Sequence, residues 1–242
     1  STVADTLVMV SNGLLVEEIA MGNQVKYKWQ EDYLISTYLV AMNISDYTQW
    51  DEMCGDLPLT FHIYPGHAEN AHFDLEPTCQ MMNLITEMCG EYPFSEERYG
   101  QVEVDWGGAM EHQTATSLGS WTLPGTGVRQ KVIIHELAHQ WFGNLLTPAQ
   151  WRDIWLNEGF ARYFEALWVE ETEGYQSYLD YLNYIGPSNH PDLFTDMGIL
   201  TDPAPILPNL LIYDKGAWLL HTLRFAIGDN RFFDFLFNYA HD

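Results

Sequence analysis

Long hydrophobic runs are missing from this 242-residue chain: nothing approaches the eighteen or more consecutive apolar residues of a membrane-spanning helix. A helical membrane span is therefore not expected. Basic side chains are scarce, with 10 Lys and Arg against 34 Asp and Glu for a net charge of −24, which makes nucleic acid and anionic membranes poor partners. Cysteine is limited to Cys54, Cys79 and Cys89, an odd set without C-x-x-C spacing. Neither a complete disulfide framework nor a cysteine zinc site is indicated, and buried or free thiols are expected. The start, Ser1-Thr2-Val3-Ala4-Asp5-Thr6, has no basic region followed by an apolar one, so it is not a signal peptide. It reads as the middle of a longer, soluble protein, cytoplasmic or exported. No internal repeat or low-complexity segment is present. Hydrophobic content is 47%, enough for the core of one large domain or a domain with a fragment of another.

What is present is concentrated in Val132-Ile133-Ile134-His135-Glu136-Leu137-Ala138-His139-Gln140-Trp141. No Pro or Gly interrupts the run before Gly143, so a helix places His135 and His139 on one face, a turn apart, where two imidazoles can close on one metal ion. Glu136 lies beside them, placed to reach a water rather than the metal. A catalytic zinc takes three protein ligands and keeps one position open. Glu158, in Trp155-Leu156-Asn157-Glu158-Gly159-Phe160-Ala161, is the best third ligand: eighteen residues separate it from His139, and Gly143 and Pro148 allow the chain to reverse between two helices. The bland alternative is a chance H-E-x-x-H on an amphipathic helix with a solvated Glu158.

His135, Glu136, His139 and Glu158, with their spacing and the W-L-N-E-G-F-A wording, resemble the M1 family of zinc aminopeptidases among the gluzincins. Gly107-Gly108-Ala109-Met110-Glu111-His112 resembles that family's G-A-M-E-N exopeptidase motif, and Tyr213-Asp214-Lys215-Gly216-Ala217 its Y-x-K-G element. The resemblance implies one Zn²⁺ held by His135, His139 and Glu158. It also implies Glu136 as general base toward a zinc-activated water, and a substrate strand formed by Gly108, Ala109, Met110, Glu111 and His112. Glu111 suits capture of a free ammonium by a charge-assisted hydrogen bond, whereas by local pattern alone it could be a plain edge-strand glutamate. Gly107 and Gly108 suggest a backbone that something approaches closely. His112 stands where the family has Asn, exchanging an amide for a titratable donor. Tyr213 is by local reasoning a buried aromatic at a helix start; the resemblance makes it an oxyanion donor. Asp153 and Asn157 could orient the histidines, and helix capping explains them equally well.

These residues imply a metallo-aminopeptidase acting on peptides with a free amino terminus. Two alternatives are a catalytically weak zinc- and peptide-binding fragment and an endopeptidase with the same metal chemistry. The acidic charge could attract cationic peptide ends, but adaptation of the surface to salt or solubility is the weightier explanation.

The expected fold class is α+β. Residues 1–50 read as the end of an antiparallel β domain, with strands including Val25 to Trp29 and Tyr33 to Val40. By the resemblance, residues 51–242 correspond to the family's thermolysin-like catalytic domain, with a mixed sheet and a mainly helical second half, truncated at its end. A polar stretch around Gly55 and Pro58 precedes a strand from Leu59 to Tyr64, a helix from about Glu69 to Cys89, and strands at Val102 to Val104 and Ala109 to His112. Helices follow beyond Arg129, around a long loop from Pro187 to Pro208. His62, His67 and His72 read as loop or surface residues, and the tryptophans as core and cleft wall, with Trp106 and Trp121 flanking Glu111. The aromatic end Phe232-Phe233-Asp234-Phe235-Leu236-Phe237 needs a cover, from a homo-oligomer partner or a flanking domain.

Overall fold

The computed structural model describes residues 1–191 and 211–241 of an α+β chain. It divides into two compact units, one of Ser1–Cys79 with Tyr92–Glu136 and one of Gln80–Glu91 with Leu137–Asp242.

In the first unit, β1 (Thr2–Ala4), β4 (Gln24–Gln30) and β3 (Leu14–Ala20) form an antiparallel sheet, and β2 (Val8–Ser11) pairs with β5 (Met42–Ser45). Alternation explains β4: Tyr27 is buried, Val25 and Trp29 share its face, and Lys26 and Lys28 take the other. A five-stranded mixed sheet runs in the order β6 (Thr48–Cys54), β7 (Leu57–Ile63), β8 (Tyr99–Val104), β10 (Ala115–Gly119), β9 (Ala109–Met110). The β7–β8 pair is parallel, because α1 (Ala68–Leu75) and α2 (Thr78–Cys89) lie in the chain between them, and the β8–β10 pair is parallel because β9, antiparallel to β10, intervenes. Buried Asp74 accepts the backbone N–H groups of Gly125 (2.6 Å), Thr126 (3.1 Å) and Gly127 (2.7 Å). That bond set shapes the loop leading into α3 (Gln130–Ala138).

Four expectations are corrected here. Tyr33 to Val40 is not a strand but contains a 3₁₀ turn at Thr37–Leu39. Backbone groups in and just after it go to side chains instead: Asn12 donates to the Leu39 carbonyl (3.0 Å) and accepts from the Ala41 N–H (2.7 Å), and Gln113 donates to the Leu34 carbonyl (3.2 Å). The polar stretch before Leu57 is itself strand β6, joined to β7 by a two-residue turn at Gly55-Asp56 in which Gly55 adopts φ 61°. Cys54 and Cys79 form a disulfide, brought together by the hairpin and the start of α2 across 25 positions, while Cys89 is a buried free thiol. His62 is a buried residue of β7, and desolvation lowers its pKa to about 3. His67 and His72 are exposed, as expected, with His67 2.7 Å from the Glu103 carboxylate and His72 tilted against Trp50.

The second unit is helical. Upon α4 (Trp155–Glu173) pack α5 (Tyr175–Ile185), a π turn at Leu211–Lys215 and α6 (Gly216–Ile227), and α6 contacts α7 (Asp229–His241). The helix α4 is buried almost all round from Asn157 to Val169, as befits a central helix. Arg224 ties three helices together, donating to both Glu170 oxygens (2.6 and 3.0 Å) and both Asp229 oxygens (2.9 and 3.2 Å). The C-terminal aromatic segment is covered in part by α4, with Phe237 left exposed. Phe232, Leu236 and Ala240 form the buried stripe of α7, Phe232 meets Tyr163 edge-on, and Tyr239 stacks on Phe160. The expected loop lies outside the described residues beyond 191.

Candidate metal centre

Ile133, Ile134, Leu137 and Ala138 are fully buried, which draws His135 and Glu136 inward with them. After Ala138 the backbone tightens: Gln140 and Trp141 donate three residues back, to Leu137 and Ala138. His139 therefore stands in the closing turn of α3 rather than in its interior. Gly143, at φ 140°, turns the chain away, and a Cβ there would lie 3.0 Å from Asn157 Nδ2 and 3.3 Å from His139 Nδ1.

His139 Nδ1 is 3.0 Å from the Phe142 carbonyl. A carbonyl can only accept, so this nitrogen carries the hydrogen and Nε2 presents its lone pair. Nε2 faces Glu158 Oε2 at 3.3 Å. Two electron-rich atoms at that distance call for a cation or a proton between them. His135 follows one turn earlier on the same helix, and ligand atoms of His135, His139 and Glu158, all buried, lie within 4.8 Å of one another. The donor set of two imidazoles and one carboxylate suits Zn²⁺ with an open position. In the first unit, carboxylate oxygens of Glu111 and Glu136 also lie within 4.8 Å of each other, both residues buried. A cation placed beside them is attracted by both.

Glu111 lies just beyond β9, which ends at Met110 instead of running to His112; Ala109 and Met110 pair with Leu118 and Ser117 of β10. Among the described residues beyond their immediate chain neighbours, none lies within 4 Å of a Cβ built at Gly107 or Gly108. The close backbone approach is at Gly119, whose N–H donates to the Gly108 carbonyl (2.9 Å) and whose Cβ would meet that oxygen. His112 Nδ1 is 2.9 Å from Ser117 Oγ, and burial lowers its pKa, so the imidazole is neutral near pH 7. Trp106 and Trp121 are each partly exposed, and Trp121 lies under the Arg129 guanidinium.

Asp153 sits in a 3₁₀ turn, 3.9 Å from Arg152, and makes no hydrogen bond with either histidine; Asn157 is fully buried on α4. Tyr213 is half-buried in the π turn. Asp214, given no part by the sequence, accepts from Arg162 Nε at 2.8 Å. Local spacing carries no signal for that pair, because 52 positions separate its members.

His135 and His139 at the end of one helix and Glu158 near the start of another form a buried donor set of the kind that holds a metal ion. A family model described as "Peptidase family M1 domain" matches residues 73–242, and the chain belongs to that family. It is 27% identical to aminopeptidase 2 of Candida albicans over 261 aligned positions, covering 99% of this chain and 28% of that protein. With aminopeptidase N of Streptomyces lividans it shares 31% identity over 82% of the chain and 26% of that protein. A crystal structure of an M1 zinc metallopeptidase from Deinococcus radiodurans superposes with a TM-score of 0.82 at 25% identity, covering 99% of this chain and 54% of that one. The chain thus spans 28% of the first curated relative and 54% of that structure.

Proposed function

We propose that the chain carries the reaction centre of a zinc-dependent aminopeptidase, with residues 1–50 the end of an amino-terminal β domain and residues 51–242 the catalytic domain. The observation that carries this reading is the mutual approach, within 4.8 Å, of the ligand atoms of His135, His139 and Glu158. One Zn²⁺ held there supplies Lewis acidity, polarising the scissile carbonyl and making an attacking water more acidic. Glu136 accepts the proton of that water and afterwards delivers it to the leaving amine. Glu111 binds the substrate's free ammonium, which selects the terminal peptide bond. Gly108, Ala109 and Met110 offer an edge strand to the peptide backbone, and neutral His112, held at Ser117, takes the place of an amide beside it. Tyr213 donates to the developing oxyanion, a contribution typically of about 2.7 to 4 kcal/mol.

The test measures zinc content and chromophore release from an aminoacyl anilide beside its amino-blocked counterpart. Cleavage of the free form alone, abolished in Glu136→Gln with zinc retained, is expected. Equal cleavage of the blocked form points to an endopeptidase, and bound zinc without cleavage to a binding fragment. Unchanged turnover in Glu136→Gln refutes the assigned base.

A further inference from the structure

Arg162 lies on α4 one turn beyond Glu158, and Asp214 is the residue after Tyr213. The Arg162 Nε donates to Asp214 Oδ1 at 2.8 Å and its Nη1 to Glu165 Oε2 at 2.8 Å. Glu165 also accepts from the Tyr181 hydroxyl at 2.7 Å, and the guanidinium sits over the Tyr181 ring at 5.5 Å from its centroid. The Asp214 side chain is 3% exposed and that of Glu165 7%. A buried pair of this kind is weak evidence of a stability role, since apolar side chains of similar volume serve as well.

A second observation lies beside it. A Cβ built on Gly159 would come 2.8 Å from the Gly216 Cα, and one on Gly216 would come 2.7 Å from the Gly159 Cα. The backbones of α4 and α6 therefore touch at the residue following Glu158 and at Gly216, the first residue of α6 after the π turn. Backbone contact sets how near the turn lies to α4. The Arg162 fork sets its rotation, because a planar guanidinium accepts partners in few directions. The turn is a π turn, a rare geometry that gathers at functional sites.

We propose that Arg162 and Asp214 are positioning residues that hold the Tyr213 turn in fixed relation to the Glu158 helix, so that Tyr213 serves as oxyanion donor. The inference rests on the role given to Tyr213 above. Neither residue touches substrate; both act through Tyr213.

The test is a double-mutant cycle on the zinc-loaded chain, reading kcat, KM and zinc content with an aminoacyl anilide. Tyr213→Phe should lower kcat by roughly 100-fold. Asp214→Asn should lower kcat about tenfold, with KM and zinc content unchanged, since misplacement by even 1 Å can cost up to about 100-fold. In the Tyr213→Phe background the Asp214→Asn effect should vanish. A second readout is independent of turnover: the ¹⁹F resonance of 3-fluorotyrosine at position 213 should shift or double in Asp214→Asn. Equal losses in both backgrounds, unchanged kcat, or an unmoved resonance each overturn the proposal. Unchanged kcat in Tyr213→Phe instead overturns the role of Tyr213 itself. Arg162→Lys, which keeps the charge and loses the fork, carries the same cycle if Asp214→Asn does not fold.

Discussion

Replacing Gly159 by alanine sets two magnitudes against each other. In a helix interior Ala is favoured over Gly by roughly 0.8 to 1 kcal/mol, so propensity alone stabilises the variant. The added methyl, however, lies 2.8 Å from the Gly216 Cα and 3.1 Å from its carbonyl carbon. Carbon atoms prefer about 3.5 to 4.0 Å, so the shortfall is near 0.7 Å or more. Both opposing atoms are backbone, and no rotamer change relieves them. The helices α4 and α6 must separate, at a cost of about 1 to 3 kcal/mol. Because relief requires moving a helix, the cost falls in the upper part of that range, and the net effect is a loss of about 1 to 2 kcal/mol. Urea unfolding at fixed pH with saturating zinc measures it, beside Gly107→Ala as a control where a Cβ meets none of the described residues beyond its chain neighbours within 4 Å. The separation also displaces the Tyr213 turn, so kcat should fall by up to about 100-fold. A Gly159→Ala variant more stable than the parent by about 1 kcal/mol refutes the reasoning, because propensity alone would then account for the result.

Two further predictions concern the first unit. Desolvation lowers the His62 pKa to about 3, so the imidazole is neutral in the fold and protonates in the unfolded chain near 6.5. Stability is full above pH 6.5 and falls as pH drops toward 3; between pH 7 and 5 this one group removes about 2 kcal/mol. His62→Gln should show a correspondingly shallower loss in urea unfolding at the two pH values, and an identical loss would remove His62 as the cause. The Cys54–Cys79 disulfide closes a loop across a sequence separation of 25. Replacing both by alanine should lower unfolding free energy by about 3 kcal/mol, and a change below 1 kcal/mol would show that the bridge constrains nothing in the unfolded chain.

The ligand residues could be named from the sequence because their relation is local: four residues on one helix, then a carboxylate after one reversal. The closing turn at His139 was less legible, since tightening to three-residue hydrogen bonds depends on Gly143 and on the packing of Trp141, whose indole donates to the Gly90 carbonyl. Long-range pairings left still less trace. Nothing near Cys54 or Cys79 announces the other, and Tyr33 to Val40 has strand composition but surrenders its backbone groups to Asn12 and Gln113. Asp214 and Arg162 were invisible as a pair because 52 positions separate them. The glycines of the two motifs did carry information, but about helix contact: Gly159 and Gly216 meet each other.

The acidity of the chain takes on a definite form once its few cations are placed. Of ten Lys and Arg residues, Arg98 and Arg224 are buried and Arg162 is half-buried. Arg98 donates to the Ser11 and Gly13 carbonyls and to Thr60, Arg162 joins α4 to the π turn, and Arg224 joins α4 to α7. Cations kept at joints leave an outer surface dominated by carboxylates, which repel one another over distances that salt screens within about 8 Å at 0.15 M. Buried forks are screened far less. Raising NaCl from 0.05 to 0.5 M should therefore raise the melting temperature, because repulsion is relieved while the joints persist. A melting temperature that falls with salt would show that exposed ion pairs, such as Lys26 with Glu17, outweigh the repulsion.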